Sequence, residues 1–101
     1  KWKIFVIDDA NIILGILHFY IRRNSAWIET LAISKEVQGK GFGTRLVTFF
    51  IDWCKFNGIK WIYLDAFEER KTFYKKLNFQ EVKDFEVPTY GKFCRMRRRV
   101  F

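Results

Sequence analysis

The segment Gln38-Gly39-Lys40-Gly41-Phe42-Gly43-Thr44, here called the glycine loop, constrains the fold of this chain more than any other stretch. Its three glycines alternate with larger residues, between an apolar strand-like run and a run with helical periodicity. Glycine adopts backbone angles that other residues resist, so such a loop can turn several N–H groups toward one point. A helix that follows adds unpaired N–H groups and the positive end of its dipole. The segment therefore indicates either a phosphate site at a strand-to-helix junction or only a tight turn.

The rest of the chain is typical of one folded domain spanning residues 1–101. Half of its residues are hydrophobic and a fifth are aromatic, which predicts a packed core rather than disorder. The longest apolar run, 12–21, is interrupted by Gly15 and His18 and is shorter than the roughly 18 residues of a membrane span. We therefore expect no membrane segment, and the N-terminus has no signal-peptide pattern.

The potential metal ligands are few. Cys54 and Cys94 have no metal-type spacing, and His18 is the only histidine. The sequence therefore predicts no metal site. Because Cys54 falls in an apolar helical pattern, we interpret it as a buried free thiol in a reducing compartment, and we expect a cytoplasmic protein.

The chain is basic, with a formal net charge of +8. Such a balance suits an anionic cofactor or substrate, nucleic acid or anionic lipid, and it also suits a solvated surface that only keeps the protein soluble. The arginines cluster near the C-terminus. In a strand, Arg95, Arg97 and Arg99 would share one face, opposite Cys94, Met96 and Arg98.

Periodicity predicts six strands and two helices. The strands are 2–7, 12–21, 26–33, 59–66, 79–87 and 92–100, and the helices are 41–57 and 68–77. The order β-β-β-α-β-α-β-β predicts an α/β fold with a mixed, mostly antiparallel sheet flanked by helices. The fourth strand is apolar on both faces, so we expect helices on both sides of it.

The first predicted helix has an apolar stripe facing the core, with polar residues opposite. The stripe consists of Phe42, Leu46, Phe49, Phe50, Trp53 and Cys54. Asn57-Gly58 is a typical stop, because Gly58 can take the left-handed cap conformation.

Two motifs together resemble the GNAT superfamily of acyl-CoA N-acyltransferases. Its hallmark is a strand, then Gln or Arg, x-x-Gly-x-Gly or Ala, then a helix, and the glycine loop fits this in full. A second hallmark, Phe-Tyr-x-x-x-Gly-Phe, matches Phe73-Tyr74-Lys75-Lys76-Leu77-Asn78-Phe79, with Asn78 where Gly is usual. Asn tolerates left-handed angles, so we expect the turn to survive. The resemblance covers nearly the whole chain.

The sequence departs from the family pattern at two places. The family opens with a strand and two helices that this chain lacks, so we expect a fragment, a processed form or a trimmed form. The family also often has Asn and Ala early in the second helix, where this chain has Phe67 and Arg70. A polar contact to the cofactor arm would then be lost, although Arg70 is a candidate to reach a phosphate.

The resemblance implies that the chain moves an acetyl group from acetyl-CoA to a primary amine, by direct attack in a ternary complex. Backbone N–H groups of the glycine loop would bind the pyrophosphate. Main-chain groups of Leu31 and Ile33 would pair with the pantetheine arm like an added strand. These roles use backbone atoms, so side-chain changes there should act mainly through packing.

For the chemistry, Tyr74 is the candidate general acid, since a phenol can donate a proton to the leaving thiolate. It is otherwise a half-buried helix residue with its hydroxyl in water. Glu29 is the candidate general base, and its alternative role is that of an exposed edge charge. Asp65 is a weaker candidate base, and we expect a structural role for His18.

Two further expectations concern partners. The alternative to an enzyme is a degenerate, non-catalytic module of the same fold that binds an acidic partner such as RNA, although the sequence has no RNA-module consensus. The first strand, 2–7, would also be a sheet edge with large apolar residues, which is hazardous when bare. We therefore expect a homodimer, an upstream segment or a swapped strand to cover it.

Overall fold

The computed structural model describes all residues, 1–101, as one mixed α/β structure. The strands are β1 (Trp2–Asp9), β2 (Ile12–Arg22), β3 (Ser25–Ile33), β4 (Trp61–Phe67), β5 (Gln80–Val87) and β6 (Gly91–Arg99). The helices are α1 (Phe42–Phe56) and α2 (Lys71–Lys76), and short 3₁₀ turns occupy Lys35–Val37 and Glu68–Arg70.

The six strands form one sheet in the order β1-β2-β3-β4-β6-β5. Every pair of neighbours is antiparallel except β3 and β4, which are joined through α1 and run parallel. The β1–β2 hairpin turns at Ala10 and Asn11, whose positive φ angles of 47° and 71° are those of a type I′ turn. The element order and the mostly antiparallel sheet confirm the predicted fold.

Both helices pack on the same face of the sheet, so the prediction that β4 is covered on both sides was wrong. The crossovers β3-α1-β4 and β4-α2-β5 advance across the sheet in the same direction, and right-handed crossovers then place both helices on one face. Leu64 of β4 points into that core and is buried, whereas Trp61 and Tyr63 lie on the opposite face and are half-exposed.

The core lies between the two helices and one face of the sheet, and α1 provides five of its buried residues. Leu46, Phe50 and Cys54 of α1 are buried as predicted, and Phe50 contacts Phe19 of β2 with ring centroids 4.5 Å apart. Phe49 was predicted in the same stripe, but it is 57% exposed. The buried face of α1 is centred further round the helix, where Val47 and Ile51 complete it. Phe49 therefore lies at the rim of the core.

The helix ends follow the predicted turn chemistry. Gly58 adopts a φ of 72° just after α1 and Asn78 a φ of 68° just after α2, so Asn78 does take the left-handed conformation. The second helix is shorter than predicted: the segment 68–77 begins with a 3₁₀ turn, and its α-helical part is α2 alone. Neither helix combines the length and hydrophobicity needed to cross a membrane.

Arg95, Arg97 and Arg99 of β6 lie on the face without helices, as their alternation predicted. Arg98 lies on the helix side, where its Nε donates to the carbonyl oxygen of Leu77 at 2.9 Å. The guanidinium of Arg97 lies 4.5 Å from the ring centroid of Trp61, and that of Arg95 lies 5.1 Å from Trp27. Cys94 and Met96 point the other way and are fully buried. Cation–π contacts thus hold the arginines over the aromatic side chains of this face.

Candidate active site

The glycine loop joins the end of β3 to the start of α1. Gly39 and Gly41 have positive φ angles of 79° and 87°, and no atom lies within 4 Å of where their Cβ would be. Glycine is therefore needed at both positions for its backbone angle rather than for space. Gly43 is different, because a Cβ there would lie 3.4 Å from the ring of Phe73.

The backbone N–H groups of residues 39–44 form an unbroken series without acceptors in the protein. None of them donates a backbone hydrogen bond, and no side chain accepts from them. Gly41 caps α1 without a side-chain bond, and the first turn of the helix has no acidic residue. Six successive free donors at the positive end of a 15-residue helix are an arrangement that favours an anion.

Gln38 fixes this loop to the strand before it. Its side-chain Nε2 donates to the carbonyl oxygen of Ile33 at 2.9 Å. The side chain of Gln38 thus ties the loop to the end of β3. The role expected for Gln38 was a backbone one, and this side-chain bond was not anticipated.

β3 and β4 separate as they approach the loop. They pair only from Ser25–Trp61 to Ile28–Leu64, although both strands continue further. The N–H of Ser34 donates to the carbonyl oxygen of Leu14 in β2 at 2.7 Å, so the backbone groups of Ser34 face β2. The backbone groups of successive residues point to alternate sides of a strand. Leu31 and Ile33 therefore direct their backbone N–H and C=O groups into the gap between β3 and β4. An extended chain added in that gap could pair with these groups.

Two cavities lie along this gap. The first, of 530 Å³, lies at the glycine loop, and Gly39, Gly41, Gly43 and Thr44 contribute to its wall. The second, of 350 Å³, lies between β3, β4 and α2, and its wall includes Glu29 and Tyr74. Leu31, Arg70 and Phe73 line both cavities. The two cavities therefore adjoin along a shared wall, from the anion site to the candidate catalytic side chains.

Tyr74 is more buried than the sequence suggested, with 8% of its surface exposed. Its hydroxyl has no hydrogen-bond partner in the protein, yet it is not sealed from solvent. Burial raises the pKa of Tyr74 to about 12, and the positive charge of Arg70 partly opposes this. The phenol therefore stays protonated at neutral pH and is available as a proton donor.

Glu29 lies on a bulge in β3. His18 of β2 pairs with Thr30 and Phe19 pairs with Ile28, so Glu29 has no partner across the ladder. Bulges re-aim side chains and are frequent beside active sites. Glu29 is exposed and lines the same cavity as Tyr74.

The other candidate residues have structural partners. Asp65 accepts two hydrogen bonds from Arg95, from Nε at 2.8 Å and Nη2 at 3.1 Å. A carboxylate held in this ion pair is poorly placed to take a proton from the amine of an acceptor substrate. The ring of His18 stacks on Trp2 with centroids 4.6 Å apart, which agrees with its expected structural role.

Lys40 is exposed and lies beside the cavities rather than in their walls, whereas Phe42 lines the first cavity. Two other residues were not recognised as site residues from the sequence. Phe73 separates Gly43 from Tyr74 and lines both cavities, and Thr30 lines the second. The Phe-Tyr pair of the second motif was the signal that could have identified Phe73.

A cluster of possible metal ligands lies away from these cavities, where Glu81, Asp84 and Cys94 meet. Lys71 of α2 already lies among them, 3.2 Å from Glu81 and 3.7 Å from Asp84. The pKa of Cys94 is raised to about 11, mainly by burial, so it remains a thiol. The cluster acts as an ion-pair network that ties α2 to β5.

Comparison with solved structures identifies many chains of the same fold. An acetyltransferase from Bacillus cereus ATCC 14579 superposes with a TM-score of 0.89 at 22% identity, covering 98% of this chain and 73% of the other. The ribosomal-protein-S18-alanine N-acetyltransferase from Escherichia coli gives 0.88 at 17% identity, covering 98% and 69%. An aminoglycoside 6′-N-acetyltransferase solved in complex with coenzyme A gives 0.87 at 15% identity, covering 99% and 73%.

A family model described as the acetyltransferase (GNAT) domain matches residues 1–81. The matched segment includes β1 to β4, the glycine loop and both helices. It therefore contains both sequence motifs and the walls of both cavities. The chain belongs to the GNAT acetyltransferase family.

Proposed function

We propose that this chain transfers an acetyl group from acetyl-CoA to a primary amine, by direct attack within a ternary complex. The observation that carries the proposal is the series of six free N–H groups at the start of α1, beside a cavity that adjoins Glu29 and Tyr74. A single extended cosubstrate with phosphates at one end and a thioester at the other matches this arrangement.

The glycine loop would hold the pyrophosphate through backbone donors, and the helix dipole would add to the attraction. Arg70 lines the cavity next to the loop and supplies a cation within reach of a phosphate. Gln38 occupies the carbonyl of Ile33, which leaves the backbone of Leu31 and the N–H of Ile33 to pair with the pantetheine arm.

At the thioester, the acceptor nitrogen would form a bond to the carbonyl carbon as the C–S bond breaks. Glu29 would take the proton that the nitrogen loses, directly or through a water molecule. An alkylamine has a pKa of roughly 10, so its free-base form is scarce at neutral pH and a nearby carboxylate helps to remove the proton.

Tyr74 would donate to the departing sulfur. Free thiols have a pKa of about 8.5, whereas the phenol of Tyr74 has a pKa of about 12. Complete proton transfer from this phenol to a solvated thiolate would therefore be energetically unfavourable. The cavity desolvates the thiolate as well, which raises its basicity toward that of the phenol. The phenol would regain its proton from solvent after coenzyme A leaves.

The connected cavities favour this enzyme over a non-catalytic module that only binds an acidic partner. The proposal is tested by incubating the protein with acetyl-CoA and a panel of primary amines, with release of free thiol as the readout. We expect amine-dependent thiol release above the slow hydrolysis of acetyl-CoA. Binding of acetyl-CoA without turnover of any amine would instead support the non-catalytic module.

A further inference from the structure

The helix that carries Tyr74 is short and buries only one of its side chains. α2 has six residues, and Tyr74 is the only one of them that is buried. A helix of this length is not stable alone in water, so contacts with the rest of the protein determine its position. Proton donation depends on where the donor lies, and a displacement of about 1 Å can lower a rate roughly 100-fold. The contacts that hold α2 therefore bear on the proposed chemistry.

Two lysines on one side of α2 meet a single carboxylate of β5. Lys71 and Lys75 are four residues apart and therefore lie on the same side of the helix. The Nζ of Lys71 lies 3.2 Å from Oε1 of Glu81, and the Nζ of Lys75 lies 3.0 Å from Oε2. Each carboxylate oxygen thus contacts one lysine. Because the two contacts are one helical turn apart, Glu81 restrains the rotation of α2 about its axis as well as its distance from β5.

A bulge in β5 directs this carboxylate toward the helix. Glu81 pairs with Met96 and Asp84 pairs with Cys94, and both partners are fully buried on the helix side of the sheet. Paired residues of neighbouring strands share a face, so both carboxylates lie on the side of α2. Residues three apart in a regular strand would lie on opposite faces. The unpaired residue of the bulge, Val82, is what brings the two carboxylates to one face.

The aromatic neighbours of Tyr74 belong to the same short segment. Its ring lies 5.0 Å from that of Phe73 and 5.5 Å from that of Phe79, measured between centroids. Phe73 is on α2 and Phe79 follows directly after the turn that ends it, so this aromatic group moves with the helix. We propose that Glu81 is a positioning residue for the proposed acetyl transfer, because it holds α2 where the hydroxyl of Tyr74 can reach the departing sulfur. The inference rests on the proposed function, and Glu81 itself lines neither cavity of the site.

These contacts persist at the pH of an assay. Hydrogen bonds from Lys75 and Lys71 lower the pKa of Glu81, so its carboxylate stays charged at neutral pH. Hydrogen bonds to Glu68 and Glu81 raise the pKa of Lys71, so this lysine stays charged as well. Removing the charge of Glu81 by substitution is therefore the direct way to release α2.

A separate contact should keep the Glu81 variants folded. The Nε of Arg98 in β6 donates to the carbonyl oxygen of Leu77 at 2.9 Å. Leu77 directly follows α2, so this bond holds the end of the helix without fixing its rotation. We therefore expect loss of Glu81 to shift α2 rather than to detach it.

Steady-state kinetics of Glu81→Gln test the proposal, with an amine that the wild type acetylates. Gln keeps the shape of Glu without its charge, so both lysines are held less firmly. We expect kcat to fall roughly tenfold with an unchanged KM for acetyl-CoA, because the glycine loop is not affected. Glu81→Asp keeps the charge and should recover part of that loss. Glu86→Gln is the matched control, since Glu86 is exposed on the same strand and forms no ion pair, and it should leave both constants unchanged.

A double mutant separates the positioning of Tyr74 from a general loss of stability. If Glu81 acts through Tyr74, Glu81→Gln should lower kcat no further in a Tyr74→Phe background. A purely structural role would lower kcat by the same factor in both backgrounds. Equal kcat values for the wild type and Glu81→Gln, or independent effects of the two substitutions, would overturn the proposal.

Amide hydrogen exchange measures the same restraint without any substrate. The N–H groups of Leu77 and Phe79 both donate to the carbonyl oxygen of Tyr74. They should exchange roughly tenfold faster in Glu81→Gln, whereas the amides of α1 should exchange as in the wild type. A wild type that acetylates no amine would contradict the proposed function, whereas unchanged exchange in Glu81→Gln would contradict the role of Glu81 in holding α2.

Discussion

Replacing Gly41 with alanine tests the backbone geometry of the glycine loop with a change of one methyl group. Gly41 has a φ of 87° and open space around its Cβ position, so the substitution causes no steric clash and only backbone strain. A non-glycine residue in this conformation costs about 1–2 kcal/mol. We therefore expect Gly41→Ala to lower the free energy of unfolding by that amount.

The substitution should also weaken acetyl-CoA binding. If the loop relaxes to relieve the strain, the N–H groups of Gly41 and Phe42 rotate away from the phosphate. A hydrogen bond to a charged group contributes about 1.5–3 kcal/mol, so losing one would raise Kd roughly 10- to 150-fold. Urea denaturation measures the free energy of unfolding, and isothermal titration calorimetry measures the Kd for acetyl-CoA.

Gly43→Ala is the matched control. Gly43 lies in the first turn of α1 without a positive φ, and its added Cβ would make an ordinary contact with Phe73 at 3.4 Å. Stability should be equal or slightly higher, because alanine is the better helix former. A Gly41→Ala variant that matches the wild type in both stability and affinity, or a Gly43→Ala variant that is the more damaging of the two, would contradict the proposed loop geometry.

Three other predictions concern side chains. Tyr74→Phe should lower kcat by about 10²–10⁴ with little change in the KM for acetyl-CoA, and equal activity would remove Tyr74 from the mechanism. Glu29→Gln should lower kcat whereas Asp65→Asn should mainly lower the melting temperature, and the reverse pattern would make Asp65 the base. Burial raises the pKa of Cys54 from 9.0 to about 12, so this group contributes stability below pH 9 that is lost as pH rises toward 12. The free energy of unfolding, measured from pH 8 to 11, should fall in the wild type and should fall less in Cys54→Ala.

The fold could be predicted largely because local signals agreed with the global pattern. The glycine loop, Gly58 and Asn78 mark where the chain needs left-handed angles, and the structure has them there. Helix periodicity identified α1 but not the exact centre of its buried face. Phe49 looked like a core residue, yet its exposure depends on how far the helix is rotated over β1, which is a tertiary property.

The candidate site was predictable in its residue types and less so in its geometry. No sequence pattern reveals that Glu29 lies on a bulge or that Asp65 is held by Arg95, because both depend on which strands become neighbours. The coverage of β4 was mispredicted for a related reason. Apolar residues on both faces indicated two covered sides, whereas no helix covers the second face, where arginines contact the partly exposed aromatic rings.

The proposed function depends on the free N–H groups of the glycine loop binding the pyrophosphate of acetyl-CoA. Calorimetric titration with acetyl-CoA, compared with acetyl-pantetheine, tests it most directly, because the second compound has the thioester arm without the pyrophosphate. We expect clear binding of acetyl-CoA and at least tenfold weaker binding of acetyl-pantetheine. No binding of acetyl-CoA by the folded protein, or equal binding of the two compounds, would contradict it.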